Sequence, residues 1–76
     1  MMDKTDKKIR QCIDQIKHIR KKRGLSQDAL ATAAGIGEST IAMMETSRNS
    51  PTLKTLLKIC EALDIKFSDI LKEQDQ

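Results

Sequence analysis

Apolar residues recur along the first third of the chain at three- and four-residue spacing. Ile9, Cys12, Ile13, Ile16 and Ile19 therefore mark one face of a helix. Thr5 or Asp6 can cap its start. The run Lys21-Lys22-Arg23, followed by Gly24, reads as its end: a cationic last turn and a terminating glycine. Ser26 suits the N-cap of a second helix from Gln27 to Ala34, although Ala29 at the third helical position denies it a reciprocal capping box. Gly35 follows, where a tight turn would ask for a positive φ. Glu38 to Thr46 predicts a third short helix with Ile41 and Met44 on its inner face, and Ser47 to Pro51 is a polar loop. Pro51-Thr52 opens a fourth helix through about Asp64, with Leu53, Leu56, Leu57, Cys60 and Leu63 facing inward. After the link Ile65-Lys66, Phe67, Ile70 and Leu71 predict a last helical turn or two, and Lys72 to Gln76 form a polar tail expected to fray. No segment alternates with period two over a useful length. The pattern predicts an all-α fold, a compact bundle of five short helices.

Composition narrows the function. A chain of 76 residues makes one domain and buries only about 60% of the surface its unfolded form exposes. A core that thin does not easily hold a deep substrate pocket, which weighs against an enzyme. There is no paired-acid, Ser/His/Asp or Cys/His arrangement at usable spacing and no Gly-rich phosphate loop. A single Phe with no Trp or Tyr excludes an aromatic platform for single strands. No apolar run approaches the roughly 18 residues of a membrane helix, and the charged N-terminus is unlike a signal peptide, so a cytoplasmic protein is expected. Cys12, Cys60 and His18 are too few and too scattered for a zinc site. Buried, reduced thiols are expected, with no metal or other cofactor. Charge is uneven: residues 1–24 carry +6, residues 25–47 carry −3 and the remainder is neutral, making up the net +3. A basic end beside an acidic middle reads either as a solvated face or as a nucleic-acid contact.

The spacing across residues 26–46 is the informative one. Two helices of about eight residues joined by a short turn containing Gly make a helix-turn-helix. Ala31 is small where the two helices would cross, and Ile41 and Met44 would anchor the second. Glu38, Ser39, Ala42 and Met43 would then lie on its opposite face. Periodicity alone leaves open a plain αα-hairpin used only for packing.

The segment from Ile16 to Leu71 resembles the phage-repressor/Cro type (Xre) of helix-turn-helix DNA-binding domain. The matching marks are Arg20, Gly24-Leu25-Ser26-Gln27, Leu30-Ala31, Ala34-Gly35-Ile36, Ser39-Thr40-Ile41, Glu45, Pro51, Leu53 and Leu56-Leu57-Lys58-Ile59. The resemblance covers about residues 12–71. It implies a lambda-repressor-like helix-turn-helix domain there, preceded by an N-terminal extension of the first helix at 1–11 and followed by a polar tail at 72–76. It also implies operator binding as a dimer. Carried over position by position, helix 38–46 would be the recognition helix in the major groove. Glu38, Ser39, Ala42 and Met43 would face base edges, and Gln27, Thr40, Arg48, Asn49 and Lys54 would meet phosphates, with Ser50 beside them. Arg20 and Glu45 would form an internal ion pair tying the first helix to the recognition helix.

This sequence also departs from the family pattern. Gly37 stands where a Ser or Thr cap is common, Ser47 where Gly usually ends the recognition helix, and Lys66 at a usual cap position before the last helix. The recognition helix has no Arg, Lys, Gln or Asn, the residues that make bidentate contacts to guanine or adenine. Readout is therefore expected to be sparse, with much of the affinity coming from Arg48, Lys54 and the cations of the first helix. The reading is a sequence-specific double-stranded DNA-binding transcriptional regulator, repressor-like and homodimeric, with no small-molecule substrate evident. The fourth and fifth helices, including Phe67 and Ile70, are its expected seam. The alternative is a protein-interaction module on the same fold with little DNA affinity, which the acidic middle and the Ala42/Met43 surface would favour.

Overall fold

The computed structural model describes residues 3–73 and contains five helices: α1 (Lys4–Lys22), α2 (Gln27–Ala34), α3 (Glu38–Glu45), α4 (Leu53–Ala62) and α5 (Phe67–Glu73). Met1, Met2 and the end of the expected polar tail, residues 74–76, lie outside the described residues. No strand occurs among those described. α1 is 19 residues long, about 28 Å at the α-helical rise, close to the molecule's longest dimension of 31 Å.

The helix starts follow from side-chain chemistry. Asp3 caps α1, its carboxylate accepting from the Asp6 N–H at 2.8 Å. The expected caps, Thr5 and Asp6, instead lie in the first turn, where Asp6 faces the positive end of the helix dipole. Ser26 accepts from the Ala29 N–H at 2.9 Å and Thr52 from the Thr55 N–H at 3.1 Å. Gly37 gives α3 no side-chain cap. The helix ends share one device. After α1, α2, α3 and α4 the chain turns through a residue with positive φ, namely Gly24, Gly35, Ser47 and Asp64. The next N–H then reaches back to close the last turn, from Leu25 to Arg20, Ile36 to Ala31, Arg48 to Met43 and Ile65 to Cys60. Glycine meets this conformation without cost at the α2–α3 turn, where φ of Gly35 is 71°. Ser47 and Asp64 adopt it as L-residues.

Contacts between helices run from α1 to α3, α2, α4, α5 and back to α1, a closed cycle. Ile16, Leu30, Ile41, Met44, Ile59, Leu63 and Ile70 fill its centre, joined by Cys12, Ile13, Ala31, Leu56 and Cys60. Each large aliphatic side chain taken out of water there is worth about 1.5–3 kcal/mol. Cys12 and Cys60 are buried and carry thiols rather than a disulfide. Burial, and the neighbouring Cys12, push the Cys60 thiol's pKa up and leave it protonated.

Several boundaries and faces differ from the sequence expectation. α3 ends at Glu45, with Thr46 as its C-cap, and α4 ends at Ala62, with Leu63 as cap and Asp64 in the turn. Lys72 and Glu73 are helical, and the Glu73 carboxylate accepts from Gln15 at 2.6 Å. On α4, Leu53 and Leu57 are 61% and 49% exposed, while Ile59 is fully enclosed. Successive residues turn by about 100°, so the five predicted residues span more of the helix than its neighbours cover. The buried set is Leu56, Ile59, Cys60 and Leu63, which leaves Leu57 around the side. Ile70, expected at a subunit seam, belongs to the core, and Phe67 is half-buried against it.

Candidate nucleic-acid interface

α2 and α3 pack together across the Gly35 turn, and α3 is fixed by its inner face. Ile41 and Met44 are enclosed in the core, and Glu45 is buried beside them. Its carboxylate meets Arg20 of α1 in a two-pronged pair: Nε donates to Oε2 at 2.8 Å and Nη2 to Oε1 at 2.9 Å. The two side chains are only 7% and 1% exposed. The remaining Arg20 nitrogen, Nη1, donates to the Leu25 carbonyl at 2.6 Å, and Gln27 donates its amide to Glu45 Oε1 at 3.0 Å. No buried side-chain nitrogen or oxygen among the described residues lacks a partner. Burial alone would raise the Glu45 pKa. The hydrogen bonds from Arg20 and Gln27 and the positive charges of Arg20 and Lys17 outweigh it and hold the carboxyl below its ordinary range.

The outward side of α3 is open. Glu38 and Ser39 are exposed, and Thr40, Ala42 and Met43 are half-buried. The loop beyond is tied to this face from within: the N–H groups of Arg48 and Asn49 both reach the Met43 carbonyl, at 2.9 and 3.4 Å. Asn49 also places its amide 3.6 Å from the Met43 sulfur. Arg48, Asn49, Ser50 and Lys54 are exposed. Most of the residues named from the sequence fall together: Glu38, Ser39, Thr40, Ala42, Met43, Arg48 and Asn49 lie along α3 and the loop that leaves it. Lys54 follows at the start of α4. Gln27 differs, because one amide hydrogen is already given to Glu45 and its side chain is half-buried. The acidic middle of the chain is also less acidic at the surface than its composition implies. Of its three carboxylates, Glu45 is neutralised internally, and only Asp28 and Glu38 face solvent.

One residue at this site was not anticipated. Arg10, in the first half of α1, donates through Nη1 to the Met44 carbonyl at 3.2 Å and to the Ser47 hydroxyl. Through Nη2 it donates to the Glu45 carbonyl at 2.7 Å and to Asp14 at 2.7 Å. The available signal was weak: an arginine one helical turn before Asp14, on the edge of the Ile9–Ile13 stripe.

The helix-turn-helix family model matches residues 16–70, from α1 into α5. The chain belongs to this family, in its phage-repressor/Cro (Xre) form. It is a family of regulators rather than enzymes. Among its members, this helix-turn-helix chain is 36% identical over 56 residues to the transcriptional regulator SutR of Escherichia coli, covering 74% of this chain and 32% of SutR. It is 42% identical over 60 residues to the immunity repressor of Bacillus phage phi105, covering 79% of this chain and 42% of the repressor. The chain therefore spans less than half the length of these two relatives. The crystal structure of the restriction–modification controller protein C.AhdI from Aeromonas hydrophila superposes with a TM-score of 0.75 at 27% identity. That match covers 82% of this helix-turn-helix chain and 94% of C.AhdI. No helix of the described residues is long and apolar enough to cross a membrane.

Proposed function

We propose that this chain binds double-stranded DNA in a sequence-specific manner and acts as a repressor-like transcriptional regulator, with α3 in the major groove. The observation that carries the reading is the division of α3. Ile41, Met44 and Glu45 hold it from inside, while Glu38, Ser39, Ala42 and Met43 remain on its open side. Glu38 can accept from a cytosine amino group, Ser39 can donate or accept, and Ala42 and Met43 can touch a thymine methyl. Arg48, Asn49, Thr40 and Lys54 would meet phosphates, and Gln27 would add its second amide hydrogen. Similarity to a phage immunity repressor and to a restriction–modification controller supports a regulatory role.

The regulator acts as a homodimer in this reading. The exposed Leu53 and Leu57, with half-buried Phe67 and Leu71, supply apolar surface for a seam on α4 and α5. Two recognition helices would then meet half-sites about 34 Å apart. A Leu57→Lys variant should sediment as a monomer at concentrations where the parent chain is dimeric. An unaltered dimer would move the seam elsewhere.

A salt series tests DNA binding itself. Affinity should fall as salt rises with a log–log slope of about −0.9 per phosphate neutralised. Arg48→Ala should weaken binding to most duplexes alike and flatten that slope by about one. Binding that ignores both salt and Arg48 would refute the phosphate assignment.

A further inference from the structure

The first half of α1 precedes the residues that the family model matches, yet it reaches the end of α3. The last carbonyls of a helix have no partner inside the helix and carry partial negative charge. Arg10 meets two of them with one guanidinium: Met44, which also accepts from the Ser47 N–H at 3.2 Å, and Glu45. The same group holds the Ser47 hydroxyl at the residue where the chain turns through φ 63°. Asp14, one helical turn along, accepts from Nη2 and orients the fork. The Arg10 side chain is 23% exposed: its contacts to the two carbonyls are part-buried, and those to Ser47 and Asp14 face solvent. Immediately beyond Ser47 lie Arg48 and Asn49, whose N–H groups close onto Met43.

We propose that Arg10 is a positioning residue for DNA binding: it fixes the C-terminal end of α3 and, through Ser47, the start of the loop that offers Arg48 and Asn49 to the phosphate backbone. The inference rests on the reading of α3 and this loop as the DNA-binding surface. Lysine cannot reproduce it, because one ammonium on a flexible stem cannot span two carbonyls, a hydroxyl and a carboxylate in a fixed plane. The first part of α1 is thereby a brace for the binding surface rather than an appendage.

The experiment uses the full chain with Arg10→Met, Arg10→Lys, Arg48→Ala and the Arg10→Met/Arg48→Ala double variant. Amide hydrogen exchange reads the brace without DNA. Exchange at Ser47, Arg48 and Asn49 should quicken by about tenfold in Arg10→Met, less in Arg10→Lys, with Ile59 and Leu63 unchanged. Unchanged exchange at the loop, or a uniform acceleration through the core, overturns the proposal. Arg10→Lys keeps the charge and provides the same comparison should Arg10→Met fail to fold. Duplex affinity reads the consequence. Arg10→Met should weaken binding about tenfold, and Arg48→Ala should cost much less in the Arg10→Met background than alone. Independent, additive losses overturn the positioning role. If the parent chain retains no duplex at low salt, the DNA-binding reading itself fails, while the exchange pattern still decides whether Arg10 braces the loop.

Discussion

The two ends of α3 are built differently. Its start is bare: Gly37 offers no side chain to the first N–H groups, and Glu38 contributes only a favourable charge near the helix dipole. Its end is held several times over. Ser47 turns the chain, Arg48 N–H closes onto Met43, Arg10 takes the final carbonyls, and Arg20 with Gln27 takes the Glu45 carboxylate. A helix of eight residues is too short to persist on propensity alone. Its orientation is therefore set by the buried Ile41 and Met44 together with the anchored end, and that end leads directly into the loop bearing Arg48 and Asn49.

The comparison can be broken most severely at Glu45. Glu45→Ala leaves the Arg20 guanidinium buried without its carboxylate, and about 3–5 kcal/mol of stability should be lost. The midpoint of urea unfolding measures it. Replacing both partners, as Arg20→Met with Glu45→Leu, should cost less than Glu45→Ala alone, because no unpaired charge remains. A double replacement as damaging as the single one would mean that shape, not charge, governs the contact. The same pair sets an acid limit. The Glu45 pKa is lower in the folded protein than in the unfolded chain. Its stabilisation is therefore complete above the ordinary glutamate value of about 4.3 and is lost as pH falls through the depressed folded value. Unfolding midpoints of the parent and of Glu45→Gln should converge in acid; a constant gap would contradict the assignment.

Smaller effects belong to the turn and to the bare start. Gly35→Ala forces a Cβ into a left-handed conformation with open space around it. Only backbone strain is added, and thermal unfolding should report a loss of about 1–2 kcal/mol. Gly37→Ser supplies the missing cap at a φ of −76° that serine accepts readily, with its Cβ in ordinary contact with Thr40 and Ser39. It should stabilise the chain by about 0.3 kcal/mol. A gain above 1 kcal/mol would show that the start of α3, not its end, limits the helix.

The features legible from sequence are those that depend on neighbours along the chain. The apolar stripe of α1, the Ser26 cap, the Gly35 turn and the inward placement of Ile41 and Met44 each follow from local spacing, and the five-helix order follows from them. Features decided by distant neighbours were harder to read. Leu57 and Ile59 lie on opposite flanks of the apolar stripe of α4, about 160° apart around the helix, and only the packing of the other helices determines that Ile59 is enclosed and Leu57 is not. Arg10 looked like one cation among many in a basic segment. Its partners are 34 to 37 residues away, apart from Asp14. Gln27, placed by resemblance at a phosphate, spends part of its amide on a buried carboxylate 18 residues further on.

Selection of bound duplexes from a random pool at moderate salt tests most directly whether the open side of α3 reads DNA. The parent chain should enrich a two-fold symmetric consensus, and Met43→Ala or Glu38→Ala should change the preferred bases within each half-site while Arg48→Ala leaves them intact. Enrichment of no common sequence, or a consensus unmoved by either α3 substitution, would contradict the account.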